Sequence, residues 1–438
     1  MTKHALTTPL ETLFRRQQGH PHPAVLDRSV IEHYQLARLR ETMDLVKKNA
    51  PYYQHSLRET SEIGGLSDLA SLPLLTEQDI RKHGQQMICV SQDAIARIVT
   101  IQSSGTTGPP KRLFFTRDDL EQTLQFFQLG MQAIASPGQR AAILLPGHTP
   151  DSTGELLARA LRRLGAESVI IGLVTDPFKA ARELATYRPH VVIGFPVQLL
   201  ALVRCATALC LPLDTITALL LCSDYIPESL CVELEKMLGC SIFSHYGTVE
   251  TGLGGAVDCQ AHQGLHLREG DLLVEIIDPH TLENLPDGTF GEIVVTTLSR
   301  KGMPLIRYRT GDRGRLLTTP CPCTSHLKRL DKVQGRLENN CILEDGSLLN
   351  MQMLDELLFP LPGILDINAA LTRKQDKERL ILELTVLPDY ARETTRLANR
   401  LLEQAAELNS LHRTITCTQA HCIHSAKRII DDKRQDEP

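Results

Sequence analysis

The sequence predicts an α/β protein in two parts, and three observations carry that expectation. Between Asp118 and Ser244, short and continuously apolar runs alternate with helix-length amphipathic runs. That is the pattern of a parallel sheet covered by helices on both faces. Beyond Gly254 the texture changes to strands separated by tight turns, which adds a β-rich subdomain. After Gly335 a smaller region mixes a hairpin, a charged strand and a helix. Residues 336–438 are therefore expected to form a small α+β C-terminal domain behind a large N-terminal domain of residues 1–335.

The opening stretch through Pro23, with its Gly, His and Pro, reads as a loosely held arm. From His33 to Lys48, Tyr34, Leu36, Leu39, Met43 and Val46 recur at helical spacing, and Pro51-Tyr52-Tyr53 ends the run. Asp68 to Leu75 reads as a short helix and connector, with Thr76-Glu77 capping the next helix. Leu120 to Ala135 is an amphipathic helix that stops near Pro137-Gly138. Strands are then expected at Ala141–Leu145, Ser168–Val174, His190–Gly194, Ala218–Cys222 and Ser241–Ser244. Between them fall helices at Gly154–Leu164, Pro177–Tyr187, Val197–Ala208 and Glu228–Leu238. Asp271–Ile277, Gly291–Leu298 and Arg313–Leu317 read as antiparallel strands, with Pro286-Asp287-Gly288 as a turn. The last region holds a hairpin around Glu344-Asp345-Gly346, a strand at Glu378–Val386, a helix at Tyr390–Leu408 and a segment through Ile429-Ile430.

Composition narrows the function classes. A 42% hydrophobic and 23% charged chain is an ordinary soluble globular protein, and its net charge of -5 gives no electrostatic reason to expect nucleic acid. The most apolar stretch, Ile216 to Cys222, is far too short to cross a membrane. Met1-Thr2-Lys3-His4 leads into no continuous apolar segment, so a cytoplasmic protein is expected. Cys205, Cys210, Cys222, Cys231 and Cys240 lie in apolar helix- or strand-like segments, where a reduced cysteine behaves as a small hydrophobe.

The chemistry gathers in a few places. Ser103-Ser104-Gly105-Thr106-Thr107-Gly108-Pro109-Pro110-Lys111 sits between the apolar segments Ile98-Val99-Thr100-Ile101 and Leu113-Phe114-Phe115. Its glycines let backbone N–H groups turn toward an anion, its hydroxyls add donors, and Lys111 adds a charge. It is not a Walker loop, because no Gly-Lys-Ser/Thr follows and no long helix opens at its end. Taken alone it is either a polyphosphate site or a solvated turn. Ligands in parallel sheets collect at the carboxyl ends of the strands. Pro146-Gly147-His148, Phe195-Pro196, Ser223-Asp224-Tyr225 and His245-Tyr246-Gly247 all fall there. Cys321-Pro322-Cys323 lies in one turn, and Cys259 and His266 flank another with His262 between them. Together they can supply the four N/S ligands of a tetrahedral Zn²⁺, or stand as buried thiols beside a surface histidine.

Four patches in order, Ser103 to Lys111, Tyr246-Gly247-Thr248-Val249-Glu250, Tyr308-Arg309-Thr310-Gly311-Asp312 and Gly335-Arg336-Leu337-Glu338, resemble the adenylate-forming superfamily of acyl- and aryl-CoA synthetases. Within it the likeness is to the phenylacetate-CoA ligase group, from about Tyr34 to Arg434, with Met303-Pro304-Leu305-Ile306-Arg307-Tyr308 especially characteristic. The resemblance implies the adenylate-forming fold, with ATP (bound through its AMP part), Mg²⁺ and coenzyme A as cofactors. It also implies a small, aromatic or otherwise compact, carboxylic acid as substrate and a homodimer as the assembly. In this likeness Ser103, Ser104, Gly105, Thr106, Thr107, Gly108 and Lys111 hold the phosphates, with Thr106 among the catalytic groups. Glu250 takes magnesium, while Ser223, Asp224, Tyr225, Tyr246, Gly247 and Thr248 line the adenine pocket. Asp312 accepts from both ribose hydroxyls, Arg336 approaches the nucleotide, and Glu338 is the pivot of the hinge. The resemblance also implies a structural zinc on Cys259, His266, Cys321 and Cys323, with His266 matching better than His262.

Three departures stand out. Val249 replaces the hydroxyl residue usual before the glutamate, and Glu338-Asn339-Asn340 keeps one of two hinge charges. In Ser425-Ala426-Lys427-Arg428, Ser425 occupies the position of the adenylation lysine, and Lys427 two residues on is the candidate to replace it. The leading expectation is an AMP-forming acid–CoA ligase. The alternatives are an adenylyltransferase that uses no CoA and a nucleotide-binding protein without turnover.

Overall fold

A computed structural model describes residues 7–19, 26–101, 109–222, 225–374, 377–405, 408, 411–419, 422–423 and 428–434. The chain divides into two compact units, each woven from separate stretches. Residues 1–136, 149–165 and 243–333 form the first, and residues 137–148, 166–242 and 334–438 the second. Among the described residues no helix is long and apolar enough to cross a membrane.

The first unit opens with a departure from expectation. Part of the expected loose arm is a helix, Pro9–Gln17, with Thr8 as its cap and Pro9 in its first turn. It buries Leu10, Leu13 and Phe14, and the Phe14 ring meets Tyr34 edge-on at 5.0 Å. The long helix Arg28–Asn49 follows, capped by Asp27, and is succeeded by the short helix Pro51–Ser56. Thr76 caps the helix Glu77–His83 as expected, in a reciprocal box with Asp79.

The two apolar segments around the Ser103–Gly108 loop pair with each other. Strand Ile95–Ile101 runs antiparallel to strand Lys111–Thr116, with Ile101 opposite Lys111. Lys111 is the first residue of the second of these strands. Helix Arg117–Gly130 begins immediately behind another Thr–Asp box. Helix Thr153–Leu164 joins it through the two bonds of Arg163 to Glu121, at 2.6 and 2.9 Å.

Two antiparallel sheets complete this unit. One holds Leu272–Ile277, Gly291–Thr297 and Tyr308–Gly314 in that order. The strand expected at Arg313–Leu317 therefore lies earlier and covers the Tyr308–Asp312 patch, whose polar Arg-Thr-Gly-Asp run hides its β alternation. Leu316 makes only an isolated bridge to Leu330. The other sheet pairs Tyr246 with Ala256, Ala256–Val257 with Leu265–Leu267, and Leu265 with Leu330.

The second unit carries the parallel sheet. Ala218–Leu221, Val191–Gly194, Arg140–Leu144 and Glu167–Ile170 lie side by side in that order, all parallel. The Glu167–Ile170 strand stops short of the expected Val174 because the chain turns at Gly172, whose φ is +86°. Helices Pro177–Tyr187, Pro196–Ala208 and Glu228–Leu238 connect the strands. Pro196–Ala208 is buried nearly all round, from Leu199 through Ala206, which explains its largely apolar sequence. Its single charge, Arg204, is 4% exposed and donates to the carbonyls of Phe359 (2.6 Å) and Ile364.

In this unit the C-terminal residues build a second sheet, ordered His412–Thr418, Lys377–Val386, Ile364–Lys374 and Ile430–Asp432. The expected hairpin around Gly346 is present between Cys341–Ile342 and Leu348–Leu349. The helix expected over Tyr390–Leu408 spans Ala391–Gln404.

Candidate functional site

Lys111, Glu250 and Tyr308 come from three of the sequence patches, and the first unit brings them to one point. The Lys111 ammonium lies 2.5 Å from Glu250 Oε1 and 2.8 Å from Glu77 Oε2, and its side chain is 6% exposed. Tyr308 donates its hydroxyl to Glu250 Oε1 at 3.2 Å and accepts from Lys111 at 3.5 Å. Burial works to raise the Glu250 carboxyl, but the charge and hydrogen bond of Lys111 outweigh it and hold it below its ordinary range. The site therefore presents a buried, ionised carboxylate beside a fixed cation.

Each side chain has a local reason for its place. Glu250 rides on a tight turn in which Thr248 and Thr251 cap each other, the Thr248 N–H donating to Thr251 Oγ1 at 3.0 Å. Gly247 opens that turn where nothing larger fits, since a Cβ would meet the Leu253 carbonyl at 2.7 Å. Gly311 has φ +76°, and the strand register shifts opposite Glu292–Val294, so the Tyr308–Gly314 strand bulges there. Glu292 holds the bulge, accepting from the Gly311 N–H at 3.1 Å and from Arg309 at 2.6 Å. Beyond it Asp312 accepts from the Tyr246 hydroxyl at 2.9 Å. Burial first, and then the Asp312 charge, push the Tyr246 phenol well above its usual value, so it stays a donor.

The remaining candidates fall elsewhere. Ser103, Ser104, Gly105, Thr106, Thr107, Gly108, Ser223, Asp224 and Lys427 lie outside the described residues. Tyr225 and Arg336 belong to the second unit. The Tyr225 hydroxyl donates to the buried Asp355, which Arg428 also clamps while bonding Asp366 at 2.8 Å. Arg336 donates to Glu338 at 2.9 Å. In sequence Glu77 shows only as a helix start, whereas the fold sets it against Lys111. A carboxylate in a first helical turn is a common stabiliser, and nothing local says that it faces Lys111 from 34 residues away.

The metal candidates converge. The ligand atoms of Cys259, His266, Cys321 and Cys323 all lie within 4.8 Å of one another, and all four residues are buried. His266 Nε2 is 3.2 Å from Cys323 Sγ, and Cys259 Sγ is 3.7 Å from Cys321 Sγ. His262 turns away to Asp258, 3.0 Å distant, and packs its ring on Phe243. Hydrogen bonding from Cys259, and then from His266, pulls the Cys323 thiol well below its ordinary value against the effect of burial. A thiolate-bearing set of three sulfurs and one imidazole suits a tetrahedral Zn²⁺.

Comparison with known proteins agrees with the fold. Residues 31–299, more than half of the chain, match the model of the AMP-binding enzyme family. The chain belongs to that family. Its relatives include the phenylacetate-coenzyme A ligase of Thermus thermophilus, 26% identical over 413 residues covering 90% of this chain and 91% of the other. The phenylacetate-coenzyme A ligase of Aromatoleum evansii is 28% identical over 345 residues, covering 75% and 76%. Among solved structures, 2-hydroxyisobutyryl-CoA ligase in complex with R3-HIB-AMP shares the fold at a TM-score of 0.78 and 18% identity, covering 93% of this chain and 91% of that one. The anthranilate CoA ligase AuaEII in complex with anthranoyl-AMP gives a TM-score of 0.52 at 15% identity, covering 72% and 62%. The protein is thus an AMP-binding enzyme that is similar over most of its length to phenylacetate-coenzyme A ligases.

His245 precedes Tyr246 and faces the other way, toward the rings of Phe126 (5.9 Å) and Phe127 (6.4 Å). Its Nε2 is shielded and has no hydrogen-bond partner among the described residues. Desolvation lowers its pKa to about 4, so the folded protein holds it neutral where the unfolded chain, near 6.5, takes up a proton. Stability from this group is complete above pH ~6.5 and falls as the pH drops toward 4. Thermal unfolding between pH 7 and pH 4.5 should show the slope, and His245→Phe should flatten it. An unchanged slope in His245→Phe would exclude this histidine as its source.

Proposed function

We propose that this protein is an ATP-dependent acid–CoA ligase that activates a small, compact carboxylic acid. The observation that carries the proposal is the buried Lys111–Glu250–Tyr308 cluster beside the Tyr246–Asp312 pair, in a chain similar over nine-tenths of its length to a phenylacetate-coenzyme A ligase. In the first half-reaction an oxygen of the substrate carboxylate forms a bond to the α-phosphorus of ATP. The bond to the β-phosphate oxygen breaks, and its electron pair leaves with pyrophosphate. In the second, the sulfur of coenzyme A attacks the acyl carbon, AMP departs with the C–O electron pair, and the thiol proton is lost.

The residues divide this work. Lys111, with the Ser103–Gly108 loop, would neutralise the phosphates, and Asp312 and Tyr246 would seat the ribose and adenine. Glu250 would hold Mg²⁺, whose charge offsets that developing on the phosphates. Residues 336–438 would be the mobile lobe, bringing Lys427 to the first step. Cys259, His266, Cys321 and Cys323 would hold a structural Zn²⁺, since four protein ligands leave no position for substrate.

Two measurements test these assignments. A panel of small aromatic and branched acids with ATP and Mg²⁺ should release pyrophosphate only with the right acid, and faster when CoA is added. Release indifferent to CoA would point to an adenylyltransferase, and silence with ATP still bound would mean a non-catalytic nucleotide-binding protein. For the metal, elemental analysis should find about one zinc per chain, and a strong chelator should lower the melting temperature. Zinc-free protein whose melting ignores the chelator would rule the site out.

A further inference from the structure

We propose that Glu77 is a positioning residue for Lys111, the counter-ion that keeps its ammonium paired when Glu250 takes a divalent cation. The inference rests on the reading of Lys111 and Glu250 as phosphate and magnesium ligands. Lys111 is shared between two carboxylates, at 2.5 Å from Glu250 and 2.8 Å from Glu77. The Lys111 and Glu250 side chains are each 6% exposed, so neither charge is cheaply left alone. A carboxylate already in contact with an ammonium is a poor site for a second cation, because the two cations repel at that distance. Lys111 therefore has to let go of Glu250 when Mg²⁺ and polyphosphate arrive, and Glu77 is the partner it retains.

Glu77 is built to be a fixed point. It opens a helix capped by Thr76, and Leu75 just before it is stitched to the Tyr308 strand, through its N–H to the Arg307 carbonyl and its carbonyl to the Arg309 N–H, both at 2.9 Å. Arg81 holds the far oxygen of Glu77 at 2.6 and 3.0 Å, leaving the near one for Lys111. The same arginine donates to the Pro109 carbonyl at 2.9 Å, so one side chain ties both Glu77 and the exit of the Ser103–Gly108 loop. Burial opposes ionisation of Glu77, but the bonds and charges of Lys111 and Arg81 prevail and bring it down to about 2, so it is charged at any working pH.

The test is ATP binding to Glu77→Gln by calorimetry, with and without Mg²⁺, together with the Mg²⁺ dependence of acid-driven pyrophosphate release. Because the Glu77 side chain is 33% exposed, the effect is modest. Binding in Mg²⁺ should weaken about fivefold, and the Mg²⁺ needed for half-maximal rate should rise by a similar factor and by more than kcat falls. Binding without Mg²⁺ should change less, and Glu77→Asp should recover part of the loss. An unchanged Mg²⁺ dependence in Glu77→Gln would overturn the inference, and so would equal losses with and without Mg²⁺, the mark of a merely structural role. Were Glu77→Gln to unfold, Glu77→Asp would make the same comparison with the charge kept one methylene shorter. Wild-type protein that binds no ATP would instead overturn the reading of the site on which the inference stands.

Discussion

The buried pairing of Lys111 with Glu250 is the constraint around which the first unit is arranged. An ammonium and a carboxylate removed from water each carry a desolvation cost of several kcal/mol, which only close geometry and further hydrogen bonds offset. The protein supplies both: Tyr308 bonds the carboxylate, Glu77 bonds the ammonium, and Arg81 balances Glu77. Two positive and two negative groups thus form a neutral cluster. Four separate segments must be in register for it to exist, namely the helix at Glu77, the strand that starts at Lys111, the turn after Tyr246 and the strand that starts at Tyr308. Under the proposed function, these are the charges a magnesium polyphosphate would engage, so binding would exchange ion pairs already formed.

Much of this is legible in the amino-acid sequence. The parallel sheet showed itself because its strands are buried on both faces and read as unbroken Ile, Leu and Val runs, and helices Pro177–Tyr187 and Glu228–Leu238 fall where their spacing put them. Lys111 was visible as the cation of a glycine- and hydroxyl-rich patch, and Glu250 and Asp312 through the resemblance to the adenylate-forming superfamily. Cys259, His266, Cys321 and Cys323 could be named because two close cysteines in a proline turn are conspicuous.

What escaped has physical reasons. Helix Pro9–Gln17 was hidden by the Gly-, His- and Pro-rich sequence after it, although Thr8-Pro9 is a good helix start. The Tyr308–Gly314 strand was hidden by its own sequence: a bulge at Gly311 and a row of polar side chains break the alternation that marks a strand. Glu77 was out of reach because its role depends on a fold contact, the bridge between Leu75 and Tyr308, that no local pattern announces. Patterns of burial are written in sequence, whereas pairings between distant charges are written only in the fold.

The most direct test of the central claim is the acid-dependent exchange of labelled pyrophosphate into ATP by wild-type protein, Lys111→Met and Glu250→Gln, with folding checked by circular dichroism. Exchange should be clear in the wild type and fall by about a hundredfold or more in each variant while unfolding stays cooperative. Exchange at the wild-type rate in either folded variant would contradict the account, as would its absence from the wild type across the acid panel.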